Sequence, residues 1–100
     1  KNYGKWEFPG GKVKKNEKPF VSIKRELFEE LGLIVKPIKE IIRYTYKKFN
    51  LIFISCESLN PEEIQLTEHL DYFWISKKEF SKFQFLEGDV KFIQNYLLNK

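Results

Sequence analysis

The chain has 100 residues, 42% hydrophobic and 17% aromatic, which suits one packed domain and argues against several domains or a disordered chain. Its formal charge of +4 and pI of about 9.1 are compatible with a polyanionic ligand such as a nucleotide, with loose nucleic-acid contact, or with nothing more than a solvated, lysine-rich surface. No apolar stretch approaches the ~20 residues that span a bilayer and no signal-peptide pattern is visible, while the one cysteine, Cys56, cannot build an internal disulfide framework, so no membrane partner and a reducing cytoplasmic setting are expected.

In chain order, Tyr3 to Phe8 predicts a short strand, ended by Pro9-Gly10-Gly11 and resumed briefly at Lys12-Val13-Lys14. Asn16 to Lys18 is a polar entry, and Pro19 suits a first helical turn. Phe20, Ile23, Leu27 and Leu31 recur at helical spacing, with Phe28 flanking them and Gly32 a natural stop, which predicts a helix over Pro19 to Leu31. Ile34 to Lys47 predicts a strand interrupted near Pro37, with Lys48-Phe49-Asn50 as a hairpin turn into a second strand, Leu51 to Glu57. Cys56 lies in that apolar run and is read as a small strand residue, not a nucleophile. Ser58 to Thr67 reads as a polar loop and Tyr72 to Ile75 as a further strand. Ser76 to Phe80 reads as a short helical turn capped by Ser76, with Glu79 three residues on. Gly88 to Leu98 is a closing amphipathic helix with Val90, Ile93, Leu97 and Leu98 inward. Interleaved helices and strands around a mostly β centre give an α/β layered domain covering residues 1–100.

The helix over Pro19 to Leu31 carries an arrangement that folding alone does not require. Glu26, Glu29 and Glu30 stand at i, i+3 and i+4, so three like charges share one face. They also crowd toward the helix C-terminus, where the macrodipole disfavours anions. A bound cation answers both problems, and clustered carboxylates suit Mg²⁺ or Mn²⁺. Upstream, Gly10-Gly11 brings bare backbone close, as a metal or phosphate needs, and Lys12 adds a point charge suited to phosphate. The alternative is a solvated acidic face paired with Lys24 and Arg25.

The stretch from Gly11 to Leu33 matches G-x5-E-x7-R-E-U-x-E-E-x-G-U, with U aliphatic, at Gly11, Glu17, Arg25, Glu26, Leu27, Glu29, Glu30, Gly32 and Leu33. Chance agreement is on the order of one in a billion per starting point at ordinary residue frequencies. The stretch resembles the signature box of the Nudix hydrolases. Trp6-Glu7-Phe8-Pro9-Gly10-Gly11-Lys12 resembles the strand and turn before the box in the MutT-type nucleoside triphosphate pyrophosphohydrolases. Glu68-His69, Phe73-Trp74-Ile75, Glu79-Phe80 and Glu87-Gly88-Asp89-Val90 resemble later pieces of that branch.

The resemblance implies a Nudix-like α/β/α layered domain with a central mixed β-sheet. It also implies hydrolysis of a (deoxy)nucleoside triphosphate to monophosphate and pyrophosphate, with a house-cleaning role. Glu29 and Glu30 are implied ligands of Mg²⁺ or Mn²⁺, with the Gly10 carbonyl a further one. Glu26 is a ligand or the general base, Glu17 serves a second metal through water, and Glu68 is either a further ligand or a plain loop residue. Arg25 orients a box glutamate. Lys12 meets phosphate. Phe8 and Trp74 are either nucleobase walls or core, and Asp89 either reads a base edge or only opens a helix. The only histidine, His69, is read as a loop or strand residue. The family's one or two strands before the Trp6 strand, with an Arg near their end that helps hold substrate, are not in these residues, and the chain contains no Met. A β-strand segment before Lys1 is therefore expected. Two other readings stand beside this one: the same chemistry on a dinucleotide, nucleotide sugar or capped RNA, and a catalytically silent nucleotide-binding module. Nucleic acid is not required as a partner, and the oligomeric state is left open.

Overall fold

Proline at the first helical position and glycine just past the last bracket helix α1, Pro19–Leu31, at the predicted limits. The computed structural model describes residues 5–66 and 72–97. Gly32 takes a left-handed conformation at φ 67°, which returns the amides of Gly32 and Leu33 to the carbonyls of Phe28 and Leu27 at 2.9 and 3.3 Å. Strand β1, Val35–Tyr46, and strand β2, Phe49–Ser58, follow as an antiparallel hairpin. Its register slips between Pro37 and Lys39 and again between Glu40 and Ile42. The first slip is the interruption expected at Pro37, where proline has no amide for the ladder.

The chain divides into two compact units, Pro9–Tyr72 and Lys1–Phe8 with Phe73–Lys100. In the first, α1 covers the hairpin. Leu27, Leu31, Leu33 and Val35 are buried, with Ile23, Cys56, Ile64 and Leu66 packed against them. Each fully buried large aliphatic side chain contributes about 1.5–3 kcal/mol. Asn60 fastens the segment after β2 to the end of α1. Its Oδ1 accepts the Ile34 amide at 2.7 Å and its Nδ2 donates to the Gly32 carbonyl at 3.1 Å. A 3₁₀ turn, Pro61–Glu63, follows.

In the second unit, the expected strand Tyr3 to Phe8 is reduced, among its described residues, to a single parallel bridge between Trp6 and Phe85. Trp6 donates to the Gln84 carbonyl at 2.7 Å and accepts the Leu86 amide at 2.8 Å. A 3₁₀ helix, Lys77–Lys82, begins where Ser76 was expected to cap, and the Glu79 carboxylate accepts the Ser76 amide at 2.8 Å. Helix α2, Glu87–Phe92, passes into a π-helical turn, Ile93–Leu97, with Phe92 and Ile93 buried. The inward roles expected of Leu97 and Leu98 fall outside the described side chains.

Three sequence expectations are corrected. The hairpin turns at Lys47-Lys48, not at Lys48-Phe49-Asn50, since Phe49 and Asn50 already pair with Tyr46 and Thr45. Asn50 reads as a turn residue, but its amide oxygen accepts the Thr45 hydroxyl at 2.9 Å across the ladder. Lys47 takes the left-handed φ of 56° instead. Tyr72 to Ile75 is not a strand. The Phe73 ring is placed by Trp6 and Phe83, at centroid distances of 5.2 and 5.8 Å, and not by a strand ladder. Lys12 to Lys14 forms no strand; it is loop.

Candidate functional site

The residues of the box lie in the Pro9–Tyr72 unit, on α1 and on the loop that leads into it. Arg25 organises them. Its Nε and Nη2 donate to Glu17 Oε2 and Oε1 at 2.8 and 3.0 Å. Its Nη1 donates to Glu26 Oε2 at 2.9 Å and to Glu29 Oε1 at 3.1 Å, and Nη2 also reaches the Lys12 carbonyl at 3.0 Å. One planar guanidinium thus gathers three carboxylates and a loop carbonyl, a geometry that the point charge of a lysine does not reproduce. The side chains of Glu17, Arg25 and Glu26 are 12%, 21% and 15% exposed and Glu29 is 56% exposed, so the Glu17 and Glu26 pairs are partly withdrawn from water while the Glu29 pair stays wet.

The electrostatics follow the contacts. The Arg25 guanidinium, and after it the Lys14 amide at 2.8 Å, hold the Glu17 carboxyl down at about 2. Glu17, and after it Glu26, hold the Arg25 guanidinium above its ordinary range.

Glu30 turns to the glycine turn, where its Oε1 accepts the Gly10 amide at 3.3 Å. At Gly11 a Cβ atom would fall on the Glu26 carboxylate, so glycine there is what lets Glu26 lie against the turn. Buried Ser22 donates its hydroxyl to the Lys12 carbonyl at 3.4 Å. Ser22 was not among the sequence candidates. The available signal was its position four residues before Glu26, on the same helical face.

Among the described residues, no three His, Cys, Asp or Glu side chains stand grouped closely enough to hold a metal ion as they are. Arg25 ties Glu17, Glu26 and Glu29, and the Gly10 amide holds Glu30. The donor chemistry nevertheless fits a hard divalent cation. Glu17 on the loop and Glu26, Glu29 and Glu30 on α1 offer four carboxylate donors, and three of them already share a single positive charge.

In the other unit, the Phe8 amide donates to Asp89 Oδ2 at 3.0 Å. Burial pushes the Asp89 carboxyl up to about 6, opposed by the Phe8 hydrogen bond and reinforced by Glu7. The Phe8 ring packs on Phe80, Phe85 and Phe92 at 5.8, 5.6 and 5.5 Å. Trp74 is 58% exposed. Glu68 and His69 lie outside the described residues.

A family model of the NUDIX domain matches residues 1–96 of the chain. The chain belongs to the NUDIX domain family. Among relatives of this Nudix chain, an 8-oxo-dGTP diphosphatase of Buchnera aphidicola subsp. Schizaphis graminum is 42% identical over 82 residues, covering 80% of this chain and 62% of that protein. Another 8-oxo-dGTP diphosphatase, of Buchnera aphidicola subsp. Acyrthosiphon pisum, is 54% identical over 52 residues, covering 48% of this chain and 42% of that protein. The Nudix chain thus spans about three fifths or less of the curated relatives it matches. The solution structure of the E. coli ORF135 protein superposes with a TM-score of 0.72 at 24% identity, over 93% of this chain and 69% of that one, and supports the α/β Nudix fold. Among the described residues of the Nudix chain, no helix is long and apolar enough to cross a membrane.

Proposed function

We propose that this Nudix chain is a pyrophosphohydrolase that cleaves a (deoxy)nucleoside triphosphate to the monophosphate and pyrophosphate, in the manner of a MutT-type enzyme that clears the nucleotide pool of the cytoplasm. The observation that carries it is the gathering of Glu17, Glu26 and Glu29 about Arg25, beside the turn where Gly10 meets Glu30. The likeness to 8-oxo-dGTP diphosphatases supports the substrate class.

Glu29, Glu30 and the Gly10 carbonyl would hold Mg²⁺ or Mn²⁺, with Glu17 reaching a second ion through water. Such an ion supplies Lewis acidity, neutralising phosphate charge and acidifying water. Glu26, 15% exposed and held by Arg25, would serve as a further ligand or take the proton of the attacking water. Arg25 is a positioning residue: it fixes Glu26 and pins the Lys12 carbonyl. Lys12 sets a positive charge against the phosphates.

A panel of nucleotides with Mg²⁺, scored for pyrophosphate against orthophosphate, tests the reading. Pyrophosphate and monophosphate are the expected products. Orthophosphate release rejects this cleavage, and turnover confined to a dinucleotide, nucleotide sugar or capped RNA replaces the substrate class. No turnover across the panel leaves a silent nucleotide-binding module.

We further assign base recognition to Asp89, with Phe8 and Trp74 as aromatic walls. Asp89→Ala should lower kcat/KM for the preferred nucleotide by the worth of one polar contact, about 1–3 kcal/mol, and flatten the ranking among bases. A lowered Tm with an unaltered ranking would leave only a role in tying Phe8 to α2. The same carboxyl gives a pH signature. Between its ordinary value of 3.8 and about 6 the folded chain binds the extra proton, so this group's contribution to stability declines as pH rises through that window. Asp89→Asn should remove that decline, read as Tm against pH.

A further inference from the structure

The loop from Lys12 to Lys18 contains four lysines and one acid, and the fold takes the acid out of the balance. Glu17 faces Arg25, which binds both its carboxylate oxygens, so its charge is neutralised inward. Lys12, Lys14, Lys15 and Lys18 are all exposed. The first turn of α1, which follows directly, has no acidic residue to offset them. The loop is also held in place. Arg25 grips the Lys12 carbonyl, and the Lys14 amide donates to Glu17 at 2.8 Å. A fixed concentration of positive charge therefore adjoins the helix that carries Glu26, Glu29 and Glu30, whose carboxylates repel a phosphate chain.

We propose that Lys14, Lys15 and Lys18 form an electrostatic collector for the phosphate chain of the nucleotide, drawing it to the acidic box without touching the reacting atoms. This rests on the reading of the chain as a nucleoside triphosphate hydrolase. A cluster of one sign raises the local concentration and capture rate of an oppositely charged ligand, and salt suppresses it because the Debye length shrinks from about 30 Å at 0.01 M to about 3 Å at 1 M. Lys12 is left out of the variant because it is assigned to substrate contact.

The test compares the wild-type chain, Lys14→Gln/Lys15→Gln/Lys18→Gln, and a control, Lys36→Gln/Lys39→Gln/Lys48→Gln, which removes the same charge from exposed hairpin positions. With a nucleoside triphosphate and Mg²⁺ at about 10 mM salt, KM of the loop variant should rise roughly tenfold with kcat unchanged, and the gap should close near 0.5 M salt. The control should move KM far less. Calorimetric binding of inorganic tripolyphosphate to the same three proteins needs no turnover. Weaker binding by the loop variant alone supports the collector even if no nucleotide is hydrolysed, which separates its failure from that of the hydrolytic reading. Equal KM and equal tripolyphosphate affinity at low salt, or a gap that persists at high salt, overturns it.

Discussion

Excess chelator is expected to reduce hydrolysis to the uncatalysed background, and added Mg²⁺ or Mn²⁺ to restore it, while the fold stays intact. The two halves of this prediction have separate causes. Catalysis of phosphoryl transfer relies on charge neutralisation at the phosphates, and on the proposed reading the box carboxylates would supply it by holding a divalent cation. The fold relies on something else. The core of Leu27, Leu31, Leu33 and Val35 is apolar, and Arg25 already offsets the repulsion among Glu17, Glu26 and Glu29. Far-ultraviolet circular dichroism and Tm in chelator should therefore match the untreated protein closely, unlike a domain folded around a structural metal. Turnover that continues unchanged in chelator would remove the metal-dependent mechanism.

Glu29→Gln and Glu30→Gln should each lower kcat by roughly 100-fold or more, since a ligand charge worth a few kcal/mol in the transition state is lost. The swap keeps shape and hydrogen bonding. At position 30 the glutamine oxygen can still accept the Gly10 amide, so the turn keeps its anchor. At position 29 the pair with Arg25 is 56% exposed on the glutamate side, and an exposed i,i+4 pair contributes only about 0.3–0.5 kcal/mol, which relief of the repulsion with Glu26 partly offsets. Stability and activity should thus separate, with Tm nearly constant and kcat collapsing. Near-normal turnover in both variants would defeat the ligand assignment.

Helix α1 was legible to the residue because its limits are local: Pro19 can start a helix, and Gly32 can adopt the left-handed stop. The hairpin was legible in kind but its turn was misplaced, because Asn50 satisfies its side chain across the ladder and leaves Lys47 to take the turn geometry. Tyr72 to Ile75 has strand-like composition, but ring contacts and not a ladder place Phe73. At the site, spacing alone set Glu26, Glu29 and Glu30 on one face and put Arg25 one turn before Glu29. It could not show that Arg25 reaches back to Glu17 and the Lys12 carbonyl, since that depends on the path of the loop. The bond between Phe8 and Asp89, 81 positions apart, has no local signal at all.

The space beside Gly11 that the Glu26 carboxylate fills makes positions 11 and 26 mutationally epistatic. While Glu26 is present, a side chain at 11 must displace its carboxylate, so a change at 11 is felt at a residue it does not replace. Once Glu26 is gone, that barrier disappears and position 11 can drift. The order of loss is thereby biased: a descendant of this chain can shed the glutamate first and the glycine afterwards at little further cost, whereas the reverse order displaces the Glu26 carboxylate at once.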